Sequence, residues 1–177
     1  MTCIVAISDG KKVVMGGDSA AAEMEGQFVS SRVEPKVFVR NEYIIGYAGS
    51  FRFGKIVEHC FNFPEPKYTD IDKFMNTVFV SELRQCCEEN KIDTSEDKDS
   101  GELLIGLHGR IFELNSDWHI GEDLNNFNSI GSGSSFALGS LYSTGKYKDN
   151  HARIKIALES AEKFSAYVRR PFKILES

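Results

Sequence analysis

The chain has 177 residues, enough for one domain with a real core, and its 41% apolar and 27% charged content excludes a disordered tract or a fibrous repeat. Twenty-six acidic residues against 21 basic ones leave a formal charge of −5, so the composition carries no electrostatic footprint for a nucleic acid or an anionic membrane, and neither is expected as a partner.

The chain opens as a β-hairpin: Cys3 to Ile7, a turn at Asp9-Gly10, then Lys12 to Gly17. After a polar stretch a second pair of strands, Lys36 to Arg40 and Tyr43 to Ala48, turns about Asn41-Glu42, which gives four strands before any helix. Between Phe51 and Phe61, the residues Phe53, Ile56, Val57, Cys60 and Phe61 recur at helical spacing until Pro64 and Pro66 break the pattern. A second helix starts at the capping residues Thr69 and Asp70, carries Ile71, Phe74, Val78 and Leu83 on one face, and ends in Glu88-Glu89-Asn90-Lys91.

Residues Asp93 to Gly101 read as an exposed acidic loop. Strands resume at Leu103 to Leu107 and, beyond a His108-Gly109 turn, at Ile111 to Leu114; a further short strand ends at Ile130. Helices follow from Ser134 to Ser143 and from Asn150 to Tyr167, and Phe172 to Leu175 is extended. Strands, two helices, strands, two helices and a strand is not the alternation of a doubly wound sheet. It predicts an α+β fold of antiparallel sheets with helices on the outer faces, closed as a four-layer α-β-β-α sandwich and forming one domain over residues 1–177.

No apolar run reaches the roughly 18 to 20 residues that span a bilayer, and the start, Met1 to Gly10, lacks a basic n-region, so a cytoplasmic protein is expected. Cys3, Cys60, Cys86 and Cys87 have no CxxC spacing, and His59, His108, His119 and His151 are scattered; reduced thiols and no metal site are expected.

The chemistry begins at Thr2. A small residue after Met1 is the type that permits removal of the initiator methionine, and an N-terminal threonine then holds a nucleophilic hydroxyl and, in its amine, a base of pKa near ~8. The glycine-rich Gly131-Ser132-Gly133-Ser134-Ser135-Phe136 lies between a strand and a helix, but Phe136 stands where a dinucleotide fingerprint needs a small residue, and the Gly-Lys-Ser/Thr ending of a P-loop is missing. No nucleotide or other cofactor is expected.

Five fragments occur in order: Thr2 to Ile7, Met15-Gly16-Gly17-Asp18-Ser19, Glu34-Pro35-Lys36-Val37, Ile45-Gly46-Tyr47-Ala48-Gly49 and Ser129 to Ser134. Together they resemble the proteasome β-type family, most closely its short HslV-like branch, over nearly the whole chain. The resemblance implies the N-terminal nucleophile hydrolase fold and threonine-type peptide hydrolysis. It makes Thr2 the nucleophile, Asp18 the carboxylate beside it, Lys36 the ammonium that lowers the pKa of the amine, Gly49 the oxyanion donor through its N–H, and Ser132 the hydroxyl that relays the amine's proton. Ala21, Tyr47 and Phe51, with Glu34 at the floor, match the substrate's first pocket.

The same resemblance implies a homo-oligomeric ring, peptide or unfolded protein substrates, and an ATPase unfoldase as partner. There is one departure. The family carries an aspartate late in the last helix, hydrogen-bonded to the serine and the amine, and alignment from the C-terminus puts Lys163 there; Glu159 and Glu162 are the carboxylates nearby. A catalytically silent subunit acting as scaffold or binding module is therefore the alternative to a peptidase.

Overall fold

The computed structural model describes residues 2–22, 29–67, 70–92 and 101–177. Thr69 and residues 93–100 of the expected acidic loop lie outside the described residues. In chain order the elements are β1 (Ile4–Ser8), β2 (Val13–Gly17), β3 (Ala20–Ala22), β4 (Val29–Ser31), β5 (Val37–Arg40), β6 (Tyr43–Gly49), α1 (Phe51–His59) and α2 (Ile71–Phe74). A π-helical turn (Met75–Phe79) leads into α3 (Val80–Glu89), followed by β7 (Gly101–Leu107), β8 (Arg110–Leu114), β9 (Ile120–Glu122), β10 (Phe127–Ile130), α4 (Ser134–Ser143), α5 (Asn150–Phe164) and β11 (Lys173–Glu176).

The strands form an antiparallel four-stranded sheet, β10-β1-β2-β11, and an antiparallel five-stranded sheet, β5-β6-β7-β8-β9, with β3 and β4 as a separate hairpin. Each large sheet is covered on both faces, which is why its inner strands read as continuous apolar runs. In β1, Val5 and Ile7 join Leu141, Ile154 and Leu158 of α4 and α5, while Ile4 and Ala6 join Ile44 and Leu104 of the other sheet. In β6, Tyr43, Ile45 and Tyr47 face Phe53, Phe79 and Leu83 of the first helical layer, and Ile44 and Ala48 face the opposite sheet. The layers are thus α1–α3, five-stranded sheet, four-stranded sheet, α4–α5, which is the predicted sandwich. At its centre the sheets come so close that a Cβ on Gly46 would stand 2.3 Å from Ile4 Cγ2.

Turn chemistry sets the hairpins. Asp9 Oδ1 accepts from the N–H groups of Lys11 and Lys12, both at 2.8 Å, and Gly10 takes φ +86°. His108 and Gly109 both have positive φ, as a two-residue hairpin turn needs. Side-chain caps start the helices: Ser50 for α1, Asp70 for α2 and Asp149 for α5.

Several expectations need correction. Six strands, not four, precede α1, because β3 and β4 fall in the stretch read as polar. The second helix is not one α-helix. Thr77 Oγ1 donates to the Lys73 carbonyl at 2.7 Å and Asn76 Nδ2 to the Asp72 carbonyl at 3.0 Å, and this competition for carbonyls accompanies the π-helical turn. Strand β9 was not anticipated, α1 stops at His59, and α5 stops at Phe164 because Ser165 is already extended. Among the described residues no helix is long and apolar enough to cross a membrane.

Candidate active site

Thr2, Asp18, Lys36 and Ser132 come from four separate places in the sequence, and strand pairing brings them together. Antiparallel pairing of Ile4 with Gly17 sets the start of β1 beside the end of β2, so that Asp18 emerges next to Cys3. Pairing of Ile4 with Ile130 places the end of β10, and with it the Gly131-Ser132 turn, on the other side. Lys36 immediately precedes β5 and accepts on its carbonyl the Tyr47 N–H, at 3.1 Å.

At the centre Lys36 Nζ lies 2.9 Å from Thr2 Oγ1 and 2.9 Å from Asp18 Oδ1. All three residues are buried, at 2% exposure or less. A lysine so placed needs its partner, because an unpaired buried ammonium costs several kcal/mol, roughly, even after relaxation. Burial pushes the Lys36 pKa down, the charge and hydrogen bond of Asp18 push it back up, and the net direction is downward.

Asp18 is held in turn by the main chain. Its Oδ1 also accepts from the Cys3 N–H at 3.1 Å, and its Oδ2 accepts from the N–H groups of Ala20 at 2.9 Å and Arg169 at 3.3 Å. The carboxylate therefore ties β1, the β3 hairpin and the segment after α5 to one point. Ser19 and Arg169 close the same junction, the Ser19 N–H donating to the Arg169 carbonyl at 2.9 Å.

On the other flank the Thr2 nitrogen donates to Ser132 Oγ at 3.1 Å, and Ser132 Oγ donates to the Thr2 carbonyl at 3.3 Å. The Gly133 N–H reaches the same carbonyl at 3.0 Å. This fit requires Gly131, whose φ is +88° and whose added Cβ would stand 2.5 Å from the Thr2 carbonyl oxygen. Cys3 faces away from this chemistry: its thiol, buried and 3.8 Å from Ser129 Oγ, has its pKa pushed up to about 12, chiefly by burial.

Of the remaining expected residues, Phe51 and Tyr47 adjoin this centre through Lys36. Gly49 ends β6 with φ +94° and is exposed, immediately before the Ser50 cap of α1. Phe51, half-buried, lies with its ring centroid 5.7 Å from Lys36 Nζ and 6.2 Å from the Tyr47 ring, which it meets edge-on. Tyr47 is buried under α1, its hydroxyl has no hydrogen-bond partner among the described residues, and burial raises its pKa, with the charges of Glu58 and Glu34 adding. Ala21 is buried in β3 and Glu34 is exposed.

Lys163 is not at this centre. It is exposed in the last turn of α5 and lines an open cavity of about 460 Å³ with Glu159, Glu162, Arg169 and Arg170. Glu162 is held by Arg170, whose guanidinium bonds it at 2.6 and 2.9 Å, and that pairing lowers its pKa. Among the described residues Glu159 and Lys163 form no ion pair, and no carboxylate bonds Ser132. The contacts that sequence reasoning missed are main-chain donors, from Cys3, Ala20 and Arg169, and a residue that contributes only its N–H leaves no side-chain signature. Among the described residues no cluster of three or more His, Cys, Asp or Glu side chains could hold a metal ion.

No protein-family model matches the chain, and a search of curated proteins finds no relative. Solved structures do match. Thiobacillus denitrificans BPH in complex with epoxomicin superposes with a TM-score of 0.82 at 20% identity, covering 99% of this chain and 98% of that one. Eukaryotic HslV from Trypanosoma brucei gives 0.71 at 17% identity, over 99% and 98% of the two chains. Anbu, the ancestral beta-subunit from Yersinia bercovieri, gives 0.72 at 11% identity, over 100% of this chain and 82% of that one. The chain has the fold of these proteins along its whole length.

Proposed function

We propose that the protein is a threonine-type peptide hydrolase acting through Thr2 once Met1 is removed, with residues 1–177 forming one proteasome-like domain. The observation that carries this reading is the buried Lys36 ammonium, 2.9 Å from both the Thr2 hydroxyl and the Asp18 carboxylate. Thr2 Oγ1 attacks the scissile carbonyl carbon, and its proton passes to the freed α-amine, held against Ser132. The Lys36 charge stabilises the forming alkoxide, and the Gly49 N–H receives the oxyanion. Collapse breaks the C–N bond, the leaving amine takes the proton, and an ester remains on Thr2. Water, deprotonated by the same amine, then cleaves the ester.

Peptides or unfolded proteins are the substrates of this reading, with a homo-oligomeric ring and an ATPase unfoldase as assembly and partner. That a protein of the same fold is described with epoxomicin supports the choice of probe. The test is intact-mass analysis of the purified chain, followed by labelling with a peptide epoxyketone. Loss of Met1 and one adduct at Thr2, absent in Thr2→Ala, is the expected result. A retained Met1, or an adduct that maps to Cys3, overturns it. One observation favours a second reading, a silent subunit serving as scaffold or binding module: among the described residues Ser132 has no carboxylate partner. A processed Thr2 that stays unlabelled would select that reading.

A further inference from the structure

We infer that Arg32 selects substrates by pairing with an acidic side chain of the bound peptide, close to the scissile bond. The inference rests on the peptidase reading of Thr2 and adds to it a substrate class. Arg32 follows the β3-β4 hairpin, and its N–H donates to the Ser19 carbonyl at 2.8 Å, so its main chain is fixed one residue from Asp18. Its guanidinium carbon lies over the Phe51 ring, 5.9 Å from the centroid. That same ring is 5.7 Å from Lys36 Nζ, which is 2.9 Å from the Thr2 hydroxyl. One aromatic side chain thus holds an exposed cation within roughly four residues of extended chain from the nucleophile.

The guanidinium is also uncommitted. In this acidic chain Arg40, Arg110 and Arg170 each meet a glutamate, whereas Arg32 makes no ion pair or guanidinium hydrogen bond among the described residues. The adjoining first turn of α1 contains no acidic residue. Glu34, two residues on and exposed, is the nearest carboxylate in sequence, and it does not pair with Arg32. A planar donor fork resting on an aromatic face is a receptor for a carboxylate, and a peptide whose carbonyl is seated at Thr2 carries its next few side chains past it.

The experiment uses the full, Met1-processed chain and fluorescent peptides that differ only in Glu, Gln or Lys at each of the three positions preceding the scissile bond. Anisotropy reads binding, and initial rates read kcat and KM. At one position the Glu peptide should bind about fivefold tighter than its Gln counterpart, the upper range for a solvent-accessible ion pair. The gain should vanish in Arg32→Ala, persist in part in Arg32→Lys, invert toward the Lys peptide in Arg32→Glu, and shrink at about 1 M salt, where screening acts within about 3 Å. The loss should appear in KM, with kcat little changed. Lys148→Ala, an exposed charge in the α4–α5 connection, should keep the wild-type preference.

A Glu/Gln ratio of one at all three positions overturns the inference, as does a preference that survives in folded Arg32→Ala. Labelling by a neutral epoxyketone reports on the peptidase reading separately. A labelled Thr2 with no acidic preference refutes Arg32 alone. An unlabelled Thr2 refutes the peptidase, and the binding measurements still decide whether Arg32 receives a carboxylate.

Discussion

Replacing Asp18 by Asn removes the charge opposite Lys36 and changes little else in shape. The carboxylate accepts four hydrogen bonds, two on each oxygen, from Lys36 and Cys3 and from Ala20 and Arg169. An amide can turn its oxygen toward only one of these pairs, so its nitrogen faces two donors in either orientation. The ammonium, 1% exposed, loses its counter-charge. Breaking a buried pair from one side costs about 3 to 5 kcal/mol. For a chain of this length that is a fall in melting temperature of about 6 to 20 °C. Lys36→Met should cost less, because the carboxylate it leaves behind still accepts three main-chain N–H groups. The double variant, with both charges gone, should recover most of the loss. Urea unfolding with a common m-value measures all three. A loss below about 1 kcal/mol in Asp18→Asn, or a double variant no more stable than that single one, would refute the claim that this pair is electrostatically coupled in a dry site.

Gly131→Ala should destabilise by about 2 to 5 kcal/mol, combining strain at φ +88° with a Cβ set 2.5 Å from the Thr2 carbonyl oxygen; urea unfolding decides, and a loss under about 1 kcal/mol would mean the turn relaxes freely. Glu162, whose folded-state pKa is lowered by Arg170, contributes stability that is present above its unfolded pKa and lost as pH falls through the folded value. Glu162→Gln should therefore flatten the acid limb of a melting-temperature profile below about pH 4.5, the ordinary glutamate value, and a limb of unchanged slope contradicts the pairing. Lys163→Asp should leave epoxyketone labelling of Thr2 within twofold of wild type, since Lys163 is exposed and bonded to none of the four central residues; a large gain in labelling rate would show that this cation reaches the site.

The layers were legible in the sequence because both large sheets are covered on both faces. Runs such as Cys3 to Ile7 and Tyr43 to Ala48 announce buried strands, and Phe53, Val57 and Leu83 announce helices that cover them. What escaped has physical causes. The hairpin strands β3 and β4 are three residues each, and alanines and serines give them no period-2 signal. The π-helical turn keeps a helical apolar spacing and differs only in which carbonyls Asn76 and Thr77 occupy, a choice that composition does not encode.

The candidate site divides in the same way. Thr2, Asp18, Lys36 and Ser132 could be named because the fragments that hold them resemble, in order, those of the proteasome β-type family, and the structure gathers them within hydrogen-bonding distance. Lys163 was named on position alone, by alignment from the C-terminus onto the last helix, α5. It ends at Phe164, and an extended Ser165 redirects the chain, so that Arg169 reaches Asp18 through its main chain while Lys163 stays on the outer surface. Among the described residues the segment after α5 thus meets the Thr2-Asp18-Lys36 cluster through Asp18 and not through Ser132. If the peptidase reading holds, proton transfer at the amine depends on Ser132 with no carboxylate behind it among the described residues. Ser132→Ala should then cost more in labelling rate than either Glu159→Gln or Glu162→Gln, because Ser132 Oγ bonds the Thr2 nitrogen, whereas both glutamates line the cavity beside Lys163 and Glu162 is engaged by Arg170.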